Sequence, residues 1–463
     1  MAQPNIILIN CDDLGYGDLG AYGSTVNRTP ALDRMATEGM RFTDFYMASP
    51  VCSPSRGAMM TGCYPPRISF GSFVNGGVVL FPGDGIGLNP EEITVARVLK
   101  DAGYVTKLVG KWHCGDQPEF LPTSHGFDSY YGIPFSNDHG RQAKDPNPNA
   151  EIAYKERPPL PLVRDLEVIE EQPDQAAITE RYVEEAVRFI RSEKDGPFFL
   201  YFAHMHVHVP IYTPAHFERE SENGIYGAGV AAIDWSVSVI MDELKRQGID
   251  DNTVVIFTSD NGSRARDEGG SNAPLRGTKA TTWEGGQRVP FIIRWPGRVP
   301  AGTVCHELAT GMDVMPTLAG FAGGKVPTDR IIDGHDIGRL VFGGDGAASE
   351  YEEFFYYKQN SLEAVRSGNW KLHVRKGEKQ VRELYDLATD VGETTNLFDQ
   401  HPDVVSGLMS KIEACRRDLG DEATGVAGEN VRPIGLVDNP KPLTQYDPNH
   451  PYIIAMYDKY QRG

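Results

Sequence analysis

Cysteine is scarce. The 463 residues hold six, Cys11, Cys52, Cys63, Cys114, Cys305 and Cys415, with no CxxC pair, which excludes a disulfide-stapled scaffold and leaves the redox compartment open. Basic residues are outnumbered: 45 Lys+Arg against 64 Asp+Glu give a net charge of −19, which excludes a free-standing basic nucleic-acid binder. No apolar run reaches the roughly 18 residues of a membrane span. Neither nucleic acid nor membrane is therefore an expected partner. No basic-then-apolar signal region precedes the first strand-like segment. A cytoplasmic chain stays open, as does a periplasmic, secreted or lysosomal one whose signal has been removed. The 50 Gly and 32 Pro are scattered without a period, which excludes collagen-like and solenoid architectures.

What is present suits a compact enzyme. Hydrophobic residues make 40% of the chain and aromatics 10%, enough for a sizeable core. Apolar β-rich runs over 5–10, 105–109, 198–202 and 253–258 each stop at a polar cluster: Asp12-Asp13, Gly110-Lys111-Trp112-His113, a run of three histidines, and Asp260-Asn261-Gly262. Nearly continuous apolar runs suit strands buried on both faces. Helical patterns over 93–102, 180–190 and 230–246 lie between them. The alternation predicts an α/β fold, a large mostly parallel sheet sandwiched by helices. In such sheets ligands bind beyond the carboxyl ends of the strands, where all four clusters sit. From about residue 352 short strands (353–357, 364–366, 370–375, 381–387) and a helix over 402–416 predict a smaller α+β unit. The division is a catalytic domain over 1–350 and a C-terminal domain over 351–463. Pro- and Asn-rich loops are expected over 144–161 and 425–451, the second wrapping back over the body.

Asp12, Asp13, Asp260 and Asn261 offer four hard oxygen donors at one sheet edge, a set that favours Ca²⁺ or Mg²⁺ over Zn²⁺. Taken singly, Asp12-Asp13 also reads as a solvated cap and Asp260-Asn261-Gly262 as a turn. Cys52-Ser53-Pro54-Ser55-Arg56 places Pro in the first turn of a helix, so residue 52 and Arg56 lie near a helix N-terminus, which attracts anions. His204, His206 and His208 fall on one face if the chain stays extended, a spacing that also suits zinc.

Cys-x-Pro-x-Arg, about forty residues after a strand ending in Asp-Asp, resembles the type I sulfatases of the alkaline-phosphatase superfamily, whose cysteine becomes Cα-formylglycine. The likeness continues through Asp12–Asp18, Gly110-Lys111-Trp112-His113, Asp260-Asn261-Gly262 and Lys279-Ala280-Thr281-Thr282-Trp283-Glu284-Gly285-Gly286, and in Leu384-Tyr385-Asp386-Leu387 with Glu393 and Asn396-Leu397. Gly132-Ile133-Pro134-Phe135-Ser136 is similar to the arylsulfatase A and N-acetylgalactosamine-6-sulfate sulfatase branch.

The resemblance implies hydrolysis of a sulfate monoester, of a small sulfated saccharide or an aryl sulfate. It makes Cys52, Arg56, Lys111, His113, His208 and Lys279 the catalytic set, with His113 as base and His208 at the leaving alcohol. Ser136 and His206 are expected to contact substrate, and Asp12, Asp13, residue 52, Asp260 and Asn261 to hold Ca²⁺, with Mg²⁺ as the alternative. His204 is read as structural, and Asn137, Asp138, His139 and Arg141 as lining the entrance. A formylglycine-generating enzyme is the implied maturation partner, and a homodimer is open because members of this branch often form one. Two positions depart from the pattern: Cys63, where the maturation signature has Arg, and Cys114, where Leu is usual. Two other readings stay open, a phosphate or phosphonate ester hydrolase of the same superfamily, and a non-catalytic sulfated-glycan binder if Cys52 stays a thiol.

Overall fold

The computed structural model describes residues 3–73, 76–141, 157–452 and 459. Ten strands form one sheet in the order Thr303–Cys305, Met40–Phe42, Phe291–Arg294, Thr253–Ser259, Asn5–Cys11, Phe198–Ala203, Val105–Gly110, Ser129–Gly132, Pro161–Arg164, Glu167–Glu171. The five from Thr253–Ser259 to Ser129–Gly132 are parallel. Pairing turns antiparallel at Phe291–Arg294 on one side and Pro161–Arg164 on the other, so the sheet is mixed around a parallel centre.

The central strands bury both faces because their side chains alternate. Ile6, Leu8, Leu108, Phe199, Tyr201, Val254 and Ile256 enter one apolar layer; Ile7, Ile9, Val109, Phe198, Leu200, Phe202, Val255 and Phe257 enter the other. Each such side chain contributes about 1.5–3 kcal/mol by leaving water. Helices Val95–Asp101 and Val314–Ala322 cover the first layer, and Pro30–Glu38, Ile178–Glu193 and Gly224–Gln247 the second. Gly224–Gln247 is long and apolar enough to cross a membrane, yet 67% of its apolar window is buried, and Asp234 within it accepts from the Ala31 and Leu32 amides. It is a core helix.

Strands Phe354–Lys358, Ser361–Ser367, Trp370–Lys376 and Lys379–Asp386 form a separate antiparallel meander. Helix Pro402–Leu419 packs on it through Leu408, Ile412 and Leu419, and the same cluster takes in Tyr46, Ala58 and Met312 of the larger unit. The tail returns: Gly435–Leu436 pairs with Ile86–Gly87, and Thr444 Oγ1 donates to the Pro159 carbonyl at 2.5 Å. The loop expected over 144–161 lies, up to residue 156, outside the described residues; by Pro161 the chain is a strand.

Candidate active site

Strands Asn5–Cys11 and Thr253–Ser259 run side by side in register up to Cys11 and Ser259, so the residues that follow them meet. The Asp260 amide donates to the Cys11 carbonyl at 3.0 Å, and the Asp13 amide to Asp260 Oδ1 at 3.3 Å. Asp13 has φ 59°, a left-handed turn that brings two successive carboxylates to one place. Asn261 Nδ2 donates to Asp13 Oδ1 at 2.8 Å and to the Gly262 carbonyl at 3.0 Å. Its Oδ1 is thereby presented bare, a buried oxygen with no hydrogen-bond partner among the described residues. One ligand atom from each of Asp12, Asp13, Cys52 and Asp260 lies within 4.8 Å of the others. A buried acidic cage with an orphaned amide oxygen fits a hard divalent cation.

The cations come from three other elements. Helix Cys52–Thr61 begins at Cys52, whose Sγ lies 3.5 Å from Asp12 Oδ1, and ends at Gly62 in a left-handed conformation (φ 71°). One turn along it, the buried Arg56 donates from Nε to Asp260 Oδ2 at 2.8 Å and from Nη1 to the Lys111 carbonyl at 2.9 Å. Lys111, just past strand Val105–Gly110, contacts Asp12 Oδ2 and donates to Ser136 Oγ at 2.7 Å. Lys279 Nζ lies 2.9 Å from Asp13. Burial alone would raise Asp12, but Lys111, then His208 and Arg56, hold it well below the usual carboxylate range. Burial, then Asp12, push Asp260 up and also keep the Cys52 thiol protonated.

The histidines do not share a strand face. Strand Phe198–Ala203 ends before them, and the chain turns, so each ring goes elsewhere. His204 Nε2 binds Ser236 Oγ of the core helix at 2.8 Å. The His206 side chain is not among the residues that line the cavity, and its carbonyl accepts from the Asp12 amide at 3.1 Å. His208 alone reaches the site, its Nδ1 2.6 Å from the Val209 carbonyl and its Nε2 3.9 Å from Asp13. Among the described residues no cluster of possible metal ligands holds more than one of these three. Burial, then Lys279, lower His208. His113, at φ 63°, sets Nε2 3.1 Å from the Leu80 carbonyl and leaves Nδ1 without a partner among the described residues. Burial, then Lys111, hold it neutral.

Cys52, Ser136, His208 and Lys279 line a cavity of about 240 Å³, while Asp12, Arg56, Lys111 and His113 lie behind its wall. Asp138 and His139 line it as expected. Asn137 instead braces the wall, donating to the Pro210 carbonyl at 2.8 Å, and Arg141 lies over the Tyr446 ring. Two kinds of residue escaped sequence reading. An apolar side is made by Val78, Val79 and Phe81, the last 42% exposed and stacked on His139; Arg157, Arg264 and Arg266 also line the cavity. The available signal for the last two was their position directly after Asp260-Asn261-Gly262, at a strand's carboxyl end.

A family model described as Sulfatase matches residues 4–324, and one described as N-sulphoglucosamine sulphohydrolase, C-terminal, matches 278–418. The chain is 42% identical over 386 residues to the N-acetylgalactosamine-6-sulfatase of Canis lupus familiaris, a match covering 80% of this chain and 71% of the relative. It is 36% identical over 441 residues to the steryl-sulfatase of Rattus norvegicus, covering 80% and 75%. The crystal structure of Ps i-CgsB in complex with k-i-k-neocarrahexaose superposes with a TM-score of 0.76 at 30% identity, covering 89% of this chain and 92% of that one.

Proposed function

The chain belongs to the sulfatase family of sulfuric ester hydrolases, and from that membership we propose that it removes sulfate from a sulfated sugar or glycan, and from aryl sulfates, through a Cα-formylglycine made from Cys52 by a formylglycine-generating enzyme. One observation carries the reading: Cys52 opens a buried helix beside Asp12, on the wall of a cavity it shares with Lys279, His208 and Ser136. The sugar is favoured by the mouth, where Phe81 offers an exposed aromatic face beside the polar Asp138 and His139. We also place the division between catalytic and C-terminal domains near residue 350.

Ca²⁺, with Mg²⁺ as the alternative, fits Asp12, Asp13, Asp260, Asn261 and residue 52, and when bound supplies the positive charge that acidifies a hydroxyl at residue 52 and draws in sulfate. A Cα-formylglycine at residue 52 would supply hydrated-aldehyde chemistry, a nucleophile for sulfur in the first half of the reaction and a route to sulfate release in the second. Arg56 and Lys111 hold the carboxylate cage: their two charges and that of Lys279 balance those of Asp12, Asp13 and Asp260. Lys279 and Ser136, on the cavity wall, orient the sulfate oxygens. His208 has Nδ1 committed to the Val209 carbonyl, so Nε2 is the atom that takes up a proton and passes it to the leaving alcohol. The open Nδ1 of His113 accepts the proton in the second half.

Peptide mass spectrometry across residues 47–56, on protein made with the maturation enzyme, tests the nucleophile. An aldehyde or hydrate at position 52 supports the reading; a thiol throughout favours a sulfated-glycan binder. Rates on matched aryl sulfate and aryl phosphate then decide the ester, faster phosphate turnover favouring the phosphatase of the same superfamily.

A further inference from the structure

The cavity lining carries Lys279 and three arginines in a chain of net charge −19. Of its three arginines, Arg157 donates to the Asp138 carbonyl at 2.7 Å and Arg264 pairs with Glu268 at 3.4 Å. Arg266 is exposed, and its guanidinium has no hydrogen-bond or ion-pair partner among the described residues.

Its loop is anchored to the sulfate pocket. The Lys279 amide donates to the Ser263 carbonyl at 3.0 Å, and Asn272 clamps Ser263 from both sides, accepting from its amide and donating to its carbonyl at 2.9 Å each. Ser263 Oγ accepts from the Ala265 amide at 3.0 Å, and the Arg266 carbonyl from the Gly269 amide at 3.1 Å. The guanidinium therefore stands on a fixed turn. Arg264 and Arg266 also line a second cavity of about 600 Å³, together with Glu222, Asp267 and Glu268. The two arginines thus belong to the linings of both the sulfate pocket and a space that admits more of the substrate.

We propose that Arg266, seconded by Arg264, is a specificity determinant that binds a second anionic group on the substrate, adjoining the sugar that bears the scissile sulfate. This inference rests on the sulfatase reading and deepens it: the substrate class is a polyanionic glycan, not a singly sulfated neutral sugar. The planar guanidinium suits either a uronate carboxylate or a second sulfate ester.

The test uses full-length matured protein with Ca²⁺ and four probes: an aryl sulfate, a monosulfated disaccharide with an adjoining uronate, the same disaccharide with its carboxyl reduced, and the reduced form carrying a second sulfate. The wild type is expected to prefer an anionic disaccharide over the reduced one by about tenfold in kcat/KM, chiefly through KM. Which anionic disaccharide is preferred identifies carboxylate or sulfate. Arg266→Ala should bring that ratio close to one, and Arg266→Lys should restore part of it. Equal kcat/KM on reduced and anionic disaccharides in the wild type, or a ratio unchanged in Arg266→Ala, overturns the inference while aryl sulfate turnover still stands. Turnover of none of the four overturns the sulfatase reading itself.

Discussion

Arg56 and Asp260 form a fully buried ion pair, Nε to Oδ2 at 2.8 Å, across a separation of 204 residues. The same guanidinium lies 3.4 Å from Asp12, so one side chain braces both acidic rims of the cage. Arg56→Met leaves two buried carboxylates short of their counter-charge and is expected to destabilise the fold by about 3–5 kcal/mol. Because a divalent ion answers the same carboxylates, added Ca²⁺ should recover part of that loss. Urea unfolding with and without the ion measures it, and a Ca²⁺-independent loss would place the cation elsewhere.

Chelation should remove aryl sulfate turnover and Ca²⁺ or Mg²⁺ restore it. Asn261→Leu deletes the bare Oδ1 and the amide that steers Asp13, and is expected to raise the ion concentration needed for half-activation by about 10- to 100-fold. Restoration by zinc alone would speak against this oxygen cage.

Cys52→Ala should abolish turnover while leaving the unfolding midpoint within a few degrees, since it removes one small buried side chain. Circular dichroism melts alongside turnover assays separate the two effects. Residual wild-type-like rates would strip residue 52 of the nucleophile role.

Stability should carry an acid limb from His125. Neither of its ring nitrogens has a hydrogen-bond partner among the described residues, and the ring packs against Trp112 at 5.6 Å. Burial, then Arg97, pull it down to about 3 from an ordinary 6.5. Folding thus disfavours the protonated ring. The unfolded chain binds the extra proton between these values, so His125 costs stability as pH falls below about 6.5, by up to about 1.4 kcal/mol per pH unit. Burial raises Asp18 to about 7 and opposes the trend, so the comparison must be differential. His125→Leu should flatten the fall between pH 7.5 and 5 relative to wild type; parallel curves would refute the assignment.

Lys371 of the meander sits 2.8 Å from Glu284 and 3.0 Å from Glu393, all three side chains fully buried, and donates to the Thr282 carbonyl at 2.9 Å. The small sheet thereby holds the segment that follows Lys279. Lys371→Met alone should cost about 3–5 kcal/mol, and the double variant with Glu393→Gln measurably less, because Glu284 keeps Arg288 at 3.2 Å while Glu393 is the carboxylate stranded by the loss of Lys371. Additive losses in the cycle would show that the two residues are uncoupled.

The sequence by itself determined the parallel centre of the sheet, the family, and the residues of the cage. Runs such as 5–10 and 253–258 announce buried strands through local composition, and each extends one residue beyond its apolar stretch, to Cys11 and Ser259. The Cys52–Arg56 motif and its Pro made the helix start legible, and the helix begins at Cys52. Tertiary structure alone decided the rest. The short flanking strands Phe291–Arg294 and Pro161–Arg164 owe their antiparallel pairing to neighbours remote in sequence. The alternation of His204, His206 and His208 promised a shared face only while the chain stayed extended; it leaves the sheet at Ala203, and the rings part. Asn261 meets Asp13 across 248 residues because strand register, not chain proximity, brings the ends together. Phe81 and Arg266 reach one cavity on different loops, a convergence that no local period encodes.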